Sequence, residues 1–317
     1  MQLVLLHLDE ALDDQADFIR TADLAGPRHI RLADDASAIR LWGKQPAMNR
    51  FRDRLLQHFS SDNPDARLVF IGSGDFHHVT TYLLATALEN HSEPITLIHF
   101  DNHPDWVKFE NGIHCGSWIN RALDHPQVAK LITIGVCSHD LKRPERDGAD
   151  LNLLSRGLLE LYPYEHPDSR VRGDYGSSAS FEQLESSLRW KTIRDMGEGN
   201  FLEYLLTRIK TKSAYVTVDK DVLSAEDAVT NWDQGNMRLP YLLSMVREIG
   251  WRHTVIGADV TGDYSLPRYT GAPWSRIPKQ VEILMDQPRR RPEPSLAANV
   301  NSAANHALLE VFSDVMV

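Results

Sequence analysis

Short, almost wholly apolar runs recur along this chain, separated by segments in which apolar residues fall at helical spacing. Gln2–Leu8, Arg67–Gly72, Pro94–Phe100, Lys130–Cys137, Ala214–Val218 and Thr254–Val260 have the character of strands buried on both faces. Helical spacing occupies Ala11–Thr21, a stretch from Phe51, then His78–Glu89, Trp118–Leu123, Asn200–Lys210 and Leu239–Ile249. The alternation predicts an α/β fold of three layers, α/β/α, around a mainly parallel sheet. Residues 28–42 show no clear period. Residues 139–190, with their charges, prolines and the Gly/Ser-rich passage Arg172–Ser180, predict a surface excursion carrying short elements. No long linker interrupts the alternation, so residues 1–286 are expected to form one domain. Residues 287–317 are expected to be a Pro/Arg-rich connector (Gln287–Pro294) and a short terminal helix (Asn305–Met316).

Composition narrows the classes. The 317 residues, 42% hydrophobic and 25% charged, suffice for a large core without a stapling disulfide or structural metal. A net charge of −10 argues against nucleic acid as a partner, which needs a concentrated basic face. Cys115 and Cys137 form neither a disulfide framework nor a CxxC pair. The opening residues read as a first strand and not a signal peptide, and nothing approaches the roughly 18 consecutive apolar residues of a membrane span. A cytoplasmic protein that can form a homo-oligomer is the expectation.

Candidate chemistry stands where apolar runs end. Asp101, His103 and Asp105 alternate after the run ending at Phe100 and would face one side if the strand geometry persisted. Gly72-Ser-Gly-Asp75-Phe-His77-His78 follows one strand, and Thr217-Val-Asp219-Lys-Asp221 closes another. Ligands bind outside the carboxyl ends of open α/β sheets, so the three segments should converge. Each has an ordinary structural explanation, such as a helix cap or a turn. Together they would place several carboxylates in one crevice, each raising its neighbours' pKa unless divalent cations intervene. Carboxylates with one or two imidazoles suit two Mn2+ ions, with other divalent transition metals as alternatives. The predicted ligands are one of His77 and His78, together with Asp101, His103, Asp105, Asp219 and Asp221. That number exceeds the needs of one ion with an open position. A two-ion centre lowers the pKa of a shared water to about 7 and presents hydroxide as nucleophile.

These motifs resemble those of the ureohydrolase family (arginase, agmatinase, formiminoglutamase), whose pattern runs Gly-Gly-Asp-His, Asp-Ala-His-x-Asp, Ser-x-Asp-x-Asp. Asp101-Asn-His103-Pro-Asp105 and Thr217-Val-Asp219-Lys-Asp221 match at every ligand position, whereas Phe76 intervenes between Asp75 and His77 in the first motif. There the resemblance implies His77 as the ligand, with His78 as the alternative, because His77-His78-Val79 best fits the family's His-Ser-aliphatic helix start. The resemblance spans about residues 65–265. It implies an arginase/deacetylase-like fold, a cytoplasmic hydrolase of linear guanidino or amidino (formimino) compounds, Asp105 as proton acceptor, and His114 in Gly112-Ile-His114-Cys-Gly116 as a proton-shuttling residue. Two departures point away from arginase itself. The family's guanidinium-holding Glu would fall at Gly262, with Asp263 beside it as a possible substitute. Trp106-Val107 stands where arginase has a polar residue for the α-carboxylate, which makes Trp106 a candidate pocket wall. A non-catalytic metal-containing protein of this fold that acts through binding is one alternative function, and an amide deacetylase is another. Gly72-Ser-Gly74 lacks the third glycine of a dinucleotide fingerprint, and Cys115 lacks the partners of a thiol nucleophile.

Overall fold

The computed structural model describes residues 1–59, 66–267, 273–287 and 292–316. Among these, eight strands form one sheet: β1 (Gln2–His7), β2 (Arg28–Arg31), β3 (Arg67–Gly72), β4 (Ile95–Phe100), β5 (Val128–Ile134), β6 (Leu159–Tyr162), β7 (Ser213–Asp219) and β8 (Thr254–Thr261). Their order is β2-β1-β3-β8-β7-β4-β5-β6, and every pairing is parallel. Alternate residues of each strand feed opposite apolar layers. Val69, Ile71, Leu97 and Leu131 pack with the helices Gln45–Leu56, Thr80–Leu88 and Trp118–Leu123. Leu68, Phe70, Ile98, Phe100, Val216 and Val218 pack with the helices Ala16–Asp23, Glu198–Arg208, Leu239–Arg252 and Pro294–Val315. The fold is therefore the expected three-layer α/β/α arrangement.

The edge strand β6 lies inside the stretch read as an excursion. Its Glu160 breaks the apolar run, but the carboxylate is buried against Lys130 Nζ and Arg208 Nη2, both at 2.6 Å. The remainder of that stretch includes a small antiparallel sheet of Ser169–Arg170, Phe181–Leu184 and Ser187–Trp190. The terminal helix starts at Pro294, well before Asn305, and buries Leu308, Val311 and Phe312 in the second apolar layer. A helix at Pro273–Asp286, not predicted from the sequence, precedes it. Of the connector, residues 288–291, which hold the arginine run, lie outside the described residues. Among the described residues no helix is long and apolar enough to cross a membrane.

Strands β3, β8, β7 and β4 are consecutive in the sheet, so the three candidate segments leave it side by side.

Candidate metal centre

The ligand segment after β4 does not stay extended. The strand ends at Phe100, and Asp105 adopts φ 50°, in the left-handed region that few non-glycine residues occupy. A loop, and not strand alternation, brings Asp101, His103 and Asp105 together. Asp219 ends β7, and Asp221 follows in a single tight turn, with the Asp221 N–H donating to Asp219 Oδ1 at 3.1 Å. Glycine is required beside Asp219: a Cβ at Gly262 (φ 93°) would lie 2.4 Å from its Oδ1, and one at Gly74 would lie 2.8 Å from its Oδ2.

Around this frame the donors converge. His77 Nδ1 is 3.0 Å from Asp101 Oδ2, 3.3 Å from Asp105 Oδ2 and 3.5 Å from Asp219 Oδ2. His103 Nδ1 is 2.9 Å from Asp221 Oδ2 and 3.5 Å from Asp101 Oδ1. The far side of each ring fixes its tautomer. Thr217 Oγ1 donates its one proton to Asp259 Oδ1 at 2.6 Å, so it accepts from His77 Nε2–H at 3.0 Å. Asp233 Oδ1 can only accept, so His103 Nε2 carries a proton toward it at 2.8 Å. Burial alone would lower both imidazoles, but the carboxylates around them outweigh it and raise both well above their usual range. In its neutral form each ring turns an Nδ1 lone pair toward carboxylate oxygens, where a metal cation can take the place of the proton.

His78, the alternative ligand, is fully buried outside this cluster, and neither ring nitrogen has a hydrogen-bond partner among the described residues. Burial holds its pKa well below the usual imidazole range, with the charges of His114 and Lys279 adding to the effect. His99 was not foreseen. Its Nε2 lies 2.8 Å from Asp101 Oδ2 and its Nδ1 lies 3.1 Å from Thr133 Oγ1. One oxygen each from Asp101 and Asp105 lies within 4.8 Å of ring nitrogens of His77 and His99, and Asp101, His103 and Asp221 form a second such group.

Electrostatics follow from this crowding. Burial pushes Asp219 up to about 7, with the charge of Asp101 adding to it. Burial and the same neighbour raise Asp105, and burial with Asp101 and Asp219 raises Asp221 well above the carboxylate range. Asp101 runs the other way: burial alone would raise it, but His99, His103 and His77 together hold it well below. A divalent cation among four such carboxylates relieves their mutual repulsion. The Thr217 contact offers a test. Thr217→Val, which removes the acceptor for His77 Nε2–H, should weaken divalent-metal binding by roughly 10–100-fold in calorimetric titration. Unchanged affinity would mean the ring is held without it.

A cavity of about 270 Å3 opens beside the cluster, lined by Asp101, His103, Asp105, Asp219 and Asp221 together with Trp106, His114 and Glu282. His114 Nδ1 accepts from the Gly116 N–H at 2.8 Å, so its Nε2–H points at Glu282 Oε1, 2.6 Å away. A Cβ on Gly116 would sit 3.3 Å from His114 Nδ1 and 3.8 Å from Asp105 Oδ1, so ring and ligand carboxylate both flank this glycine. Glu282 comes from the unforeseen helix Pro273–Asp286. Lys279, one turn earlier, anchors that helix by donating to the carbonyls of Ala38, Arg40 and Trp42 at 2.6–3.1 Å. Glu282 Oε2 in turn accepts from Trp42 Nε1 at 2.9 Å. Trp106 lines the cavity as expected, backed by Trp190 with ring centroids 6.4 Å apart.

Two acidic residues from the motifs lie elsewhere. Asp263 is not among the cavity's lining residues; it is buried in an ion pair with Lys220, whose Nζ also donates to Asn305 Oδ1 at 2.6 Å. Asp75 accepts from Arg40 Nε at 2.7 Å, Gln287 Nε2 at 2.9 Å and Trp232 Nε1 at 3.0 Å, beneath the cavity.

Comparison with known proteins bears on the fold and on the segment that carries Asp101, His103 and Asp105. The model of the arginase family matches residues 13–155, which starts well before the region where the motifs lie. An uncharacterised protein of Thermotoga maritima is 25% identical over 196 residues, 62% of this chain and 58% of that protein. The match therefore spans less than two thirds of the relative's length. Three solved structures share the fold. Proclavaminate amidino hydrolase from Streptomyces clavuligerus has 16% identity and a TM-score of 0.59, covering 99% of this chain and 92% of that one. Formimidoylglutamase from Bacillus subtilis has 14% identity and a TM-score of 0.56, covering 97% and 86%. A hypothetical agmatinase from Burkholderia thailandensis has 18% identity and a TM-score of 0.51, covering 99% and 86%.

Proposed function

We propose that this chain, whose residues 13–155 match the model of the arginase family, is a hydrolase of non-peptide C–N bonds in linear guanidino or amidino (formimino) compounds, working with two manganese ions. The observation that carries the reading is the orientation of His77 and His103. Each presents Nδ1 to carboxylates while its Nε2–H is held from behind, the arrangement of a metal-ligating imidazole with its outer partner. His77, Asp101, His103, Asp105, Asp219 and Asp221 would hold the ions. Oxygen donors with two imidazoles favour manganese over the cysteine-rich sets of structural zinc. Such a pair supplies Lewis acidity and makes water nucleophilic at neutral pH.

The chain's own groups do the rest. His99 and the His103 backbone N–H donate to Asp101, at 2.8 and 2.6 Å, and orient both its oxygens. Trp118 Nε1 donates to Asp105 Oδ2 at 2.6 Å, which leaves Asp105 Oδ1 free to take a proton as the nucleophile forms. His114 stands near enough to pass a proton toward a leaving nitrogen, and Glu282 stabilises the imidazolium that this requires. Trp106 excludes water along one wall.

Manganese-reconstituted protein should release urea or ammonia from at least one guanidino or formimino compound in a substrate screen. Failure to bind manganese, or binding without turnover on any of them, would overturn the reading. Glu282→Gln keeps the shape but removes the charge. It should retain manganese, lower kcat by roughly 100-fold or more and move the pH dependence of kcat; an unaltered profile would remove Glu282 from the proton path.

A further inference from the structure

We infer that a cleft between the strap of residues 139–150, which follows β5, and the small antiparallel sheet binds a small molecule carrying two phosphoryl groups. The site is separate from the metal centre and does not depend on the activity proposed above. The cleft measures about 750 Å3, and Arg143, Arg146, Arg170 and Arg172 all line it, with Ser186 and Ser187 beside them. A volume of that order suits one small ligand.

Local structure explains why the arginines gather there. Side chains alternate along an extended chain, so Arg170 and Arg172 share one face while Val171 is buried on the other. On the strap, the N–H groups of Arg146 and Asp147 donate to the Arg143 carbonyl at 2.9 and 3.2 Å. That closes one helical turn and sets Arg143 and Arg146, three residues apart, on one side. Backbone bonds join the walls: the Arg170 N–H donates to the Lys142 carbonyl at 3.1 Å, and the Val171 N–H to the Ser186 carbonyl at 2.9 Å.

The charge balance of the cleft is unusual for this chain. Its net charge is −10, and exposed arginines elsewhere find carboxylates, as Arg20, Arg31, Arg238 and Arg252 do. None of the four cleft arginines forms an ion pair among the described residues. Glu145 is the one acid among the cleft's described lining residues. It already accepts from the N–H groups of Arg172 and Gly173 and from the Tyr175 hydroxyl, at 2.7–2.9 Å. Four like charges are thus set against one. The hydroxyls of Ser186 and Ser187 likewise have no hydrogen-bond partner among the described residues. Guanidinium groups offer paired N–H donors that match phosphate oxygens, and two from each wall suit two phosphoryl groups. A longer polyanion fits less well, because Asp174 and Glu185 line the adjoining pocket beyond Arg172.

The strap also carries Asp140 and Asp147, which line the metal-centre cavity on its other side. The Asp150 N–H donates to the Trp106 carbonyl at 3.1 Å, and the Lys108 N–H to the Gly148 carbonyl at 3.0 Å. An anion that bridges strap and small sheet therefore pins the strap against the wall that holds Trp106. Any effect on affinity in that cavity is reciprocal.

The test uses the full chain with its metal loaded, at one fixed ionic strength of about 0.1 M. In calorimetry, fructose 1,6-bisphosphate should bind roughly tenfold or more tightly than inorganic phosphate. Arg143→Gln combined with Arg170→Gln takes one exposed guanidinium from each wall and should weaken the bisphosphate by roughly tenfold or more. Arg20→Gln combined with Arg54→Gln removes the same charge from two other helices and should leave its affinity within about twofold. Amide hydrogen exchange over residues 139–150 should slow with the bisphosphate in the unaltered chain and not in the cleft variant. No binding of the bisphosphate, binding no tighter than phosphate, or binding that ignores the cleft substitutions would overturn the inference. So would a single-stranded DNA oligomer that outcompetes the bisphosphate through the same arginines. Arginine-dependent binding with unaltered exchange would overturn the pinning of the strap and uphold the site. None of these readings uses turnover, so their outcome is independent of the hydrolase reading.

Discussion

His103→Ala combined with Asp219→Ala should abolish manganese binding, read by elemental analysis after dialysis of the reconstituted protein, and reduce any hydrolysis to background. The two side chains touch both halves of the cluster. Asp219 Oδ2 is 3.5 Å from His77 Nδ1, and His103 Nδ1 faces Asp221 Oδ2 at 2.9 Å. Loss of one outer-shell partner typically weakens a metal by 10–100-fold. Removing two ligands should exceed that by orders of magnitude. His114→Ala is the matched control. His114 lines the same cavity, but its nitrogens are engaged by the Gly116 N–H and by Glu282, so the variant should keep its manganese and lose turnover. About two ions per chain retained in the double variant would remove these residues from the centre.

The parts of the centre legible in the sequence are those where a charged residue abuts an apolar run. Asp101 and Asp219 are recognisable because each abuts a buried strand and further acids or a histidine, His103, Asp105 and Asp221, follow within four residues, a repetition that a single cap or turn does not explain. His99 escaped notice because it sits inside the run Ile95–Phe100, where a histidine reads as filler. The two-residue period of Asp101 and His103, extended one step back, points to it. Glu282 and Asp233 carry no such signal. They come from a helix and a loop remote in sequence, and in the linear chain each resembles a solvated acid. The helix itself was obscured by Pro278 and by exposed Ile277, Val281 and Leu284, which blur the apolar period. Likewise β6 hid behind Glu160, whose burial becomes tolerable only once Lys130 and Arg208 are brought to it from other elements. Local pattern reveals the chemistry that strands deliver directly; groups supplied by tertiary packing are invisible to it.

Asp263 shows the converse, an acid that the motif spacing offered to the substrate and that packing claims for something else. Asp263→Asn should therefore destabilise the protein and leave its manganese content unchanged. Lys220 lies between Asp219 and Asp221, but its side chain is fully buried against Asp263 and Asn305 and is absent from the cavity lining. Breaking a buried pair by removing one partner costs about 3–5 kcal/mol, because the surviving charge stays desolvated. Denaturant titration should show a loss of that order in the variant. The loss should also depend on pH. Burial already lowers the Lys220 pKa, and Asp263 opposes that shift, so the variant lowers it further. Between that depressed value and the roughly 10.4 of an unfolded lysine, the unfolded chain binds a proton that the folded chain does not. Stability of Asp263→Asn should consequently rise with pH across that window and level off at its lowest value below it, where Lys220 is protonated in both the folded and the unfolded chain. A variant with unchanged stability but a raised KM would return Asp263 to the substrate pocket. A destabilised variant with its full metal content would place Asp263 and Lys220 in the framework that holds the Asp219–Asp221 turn.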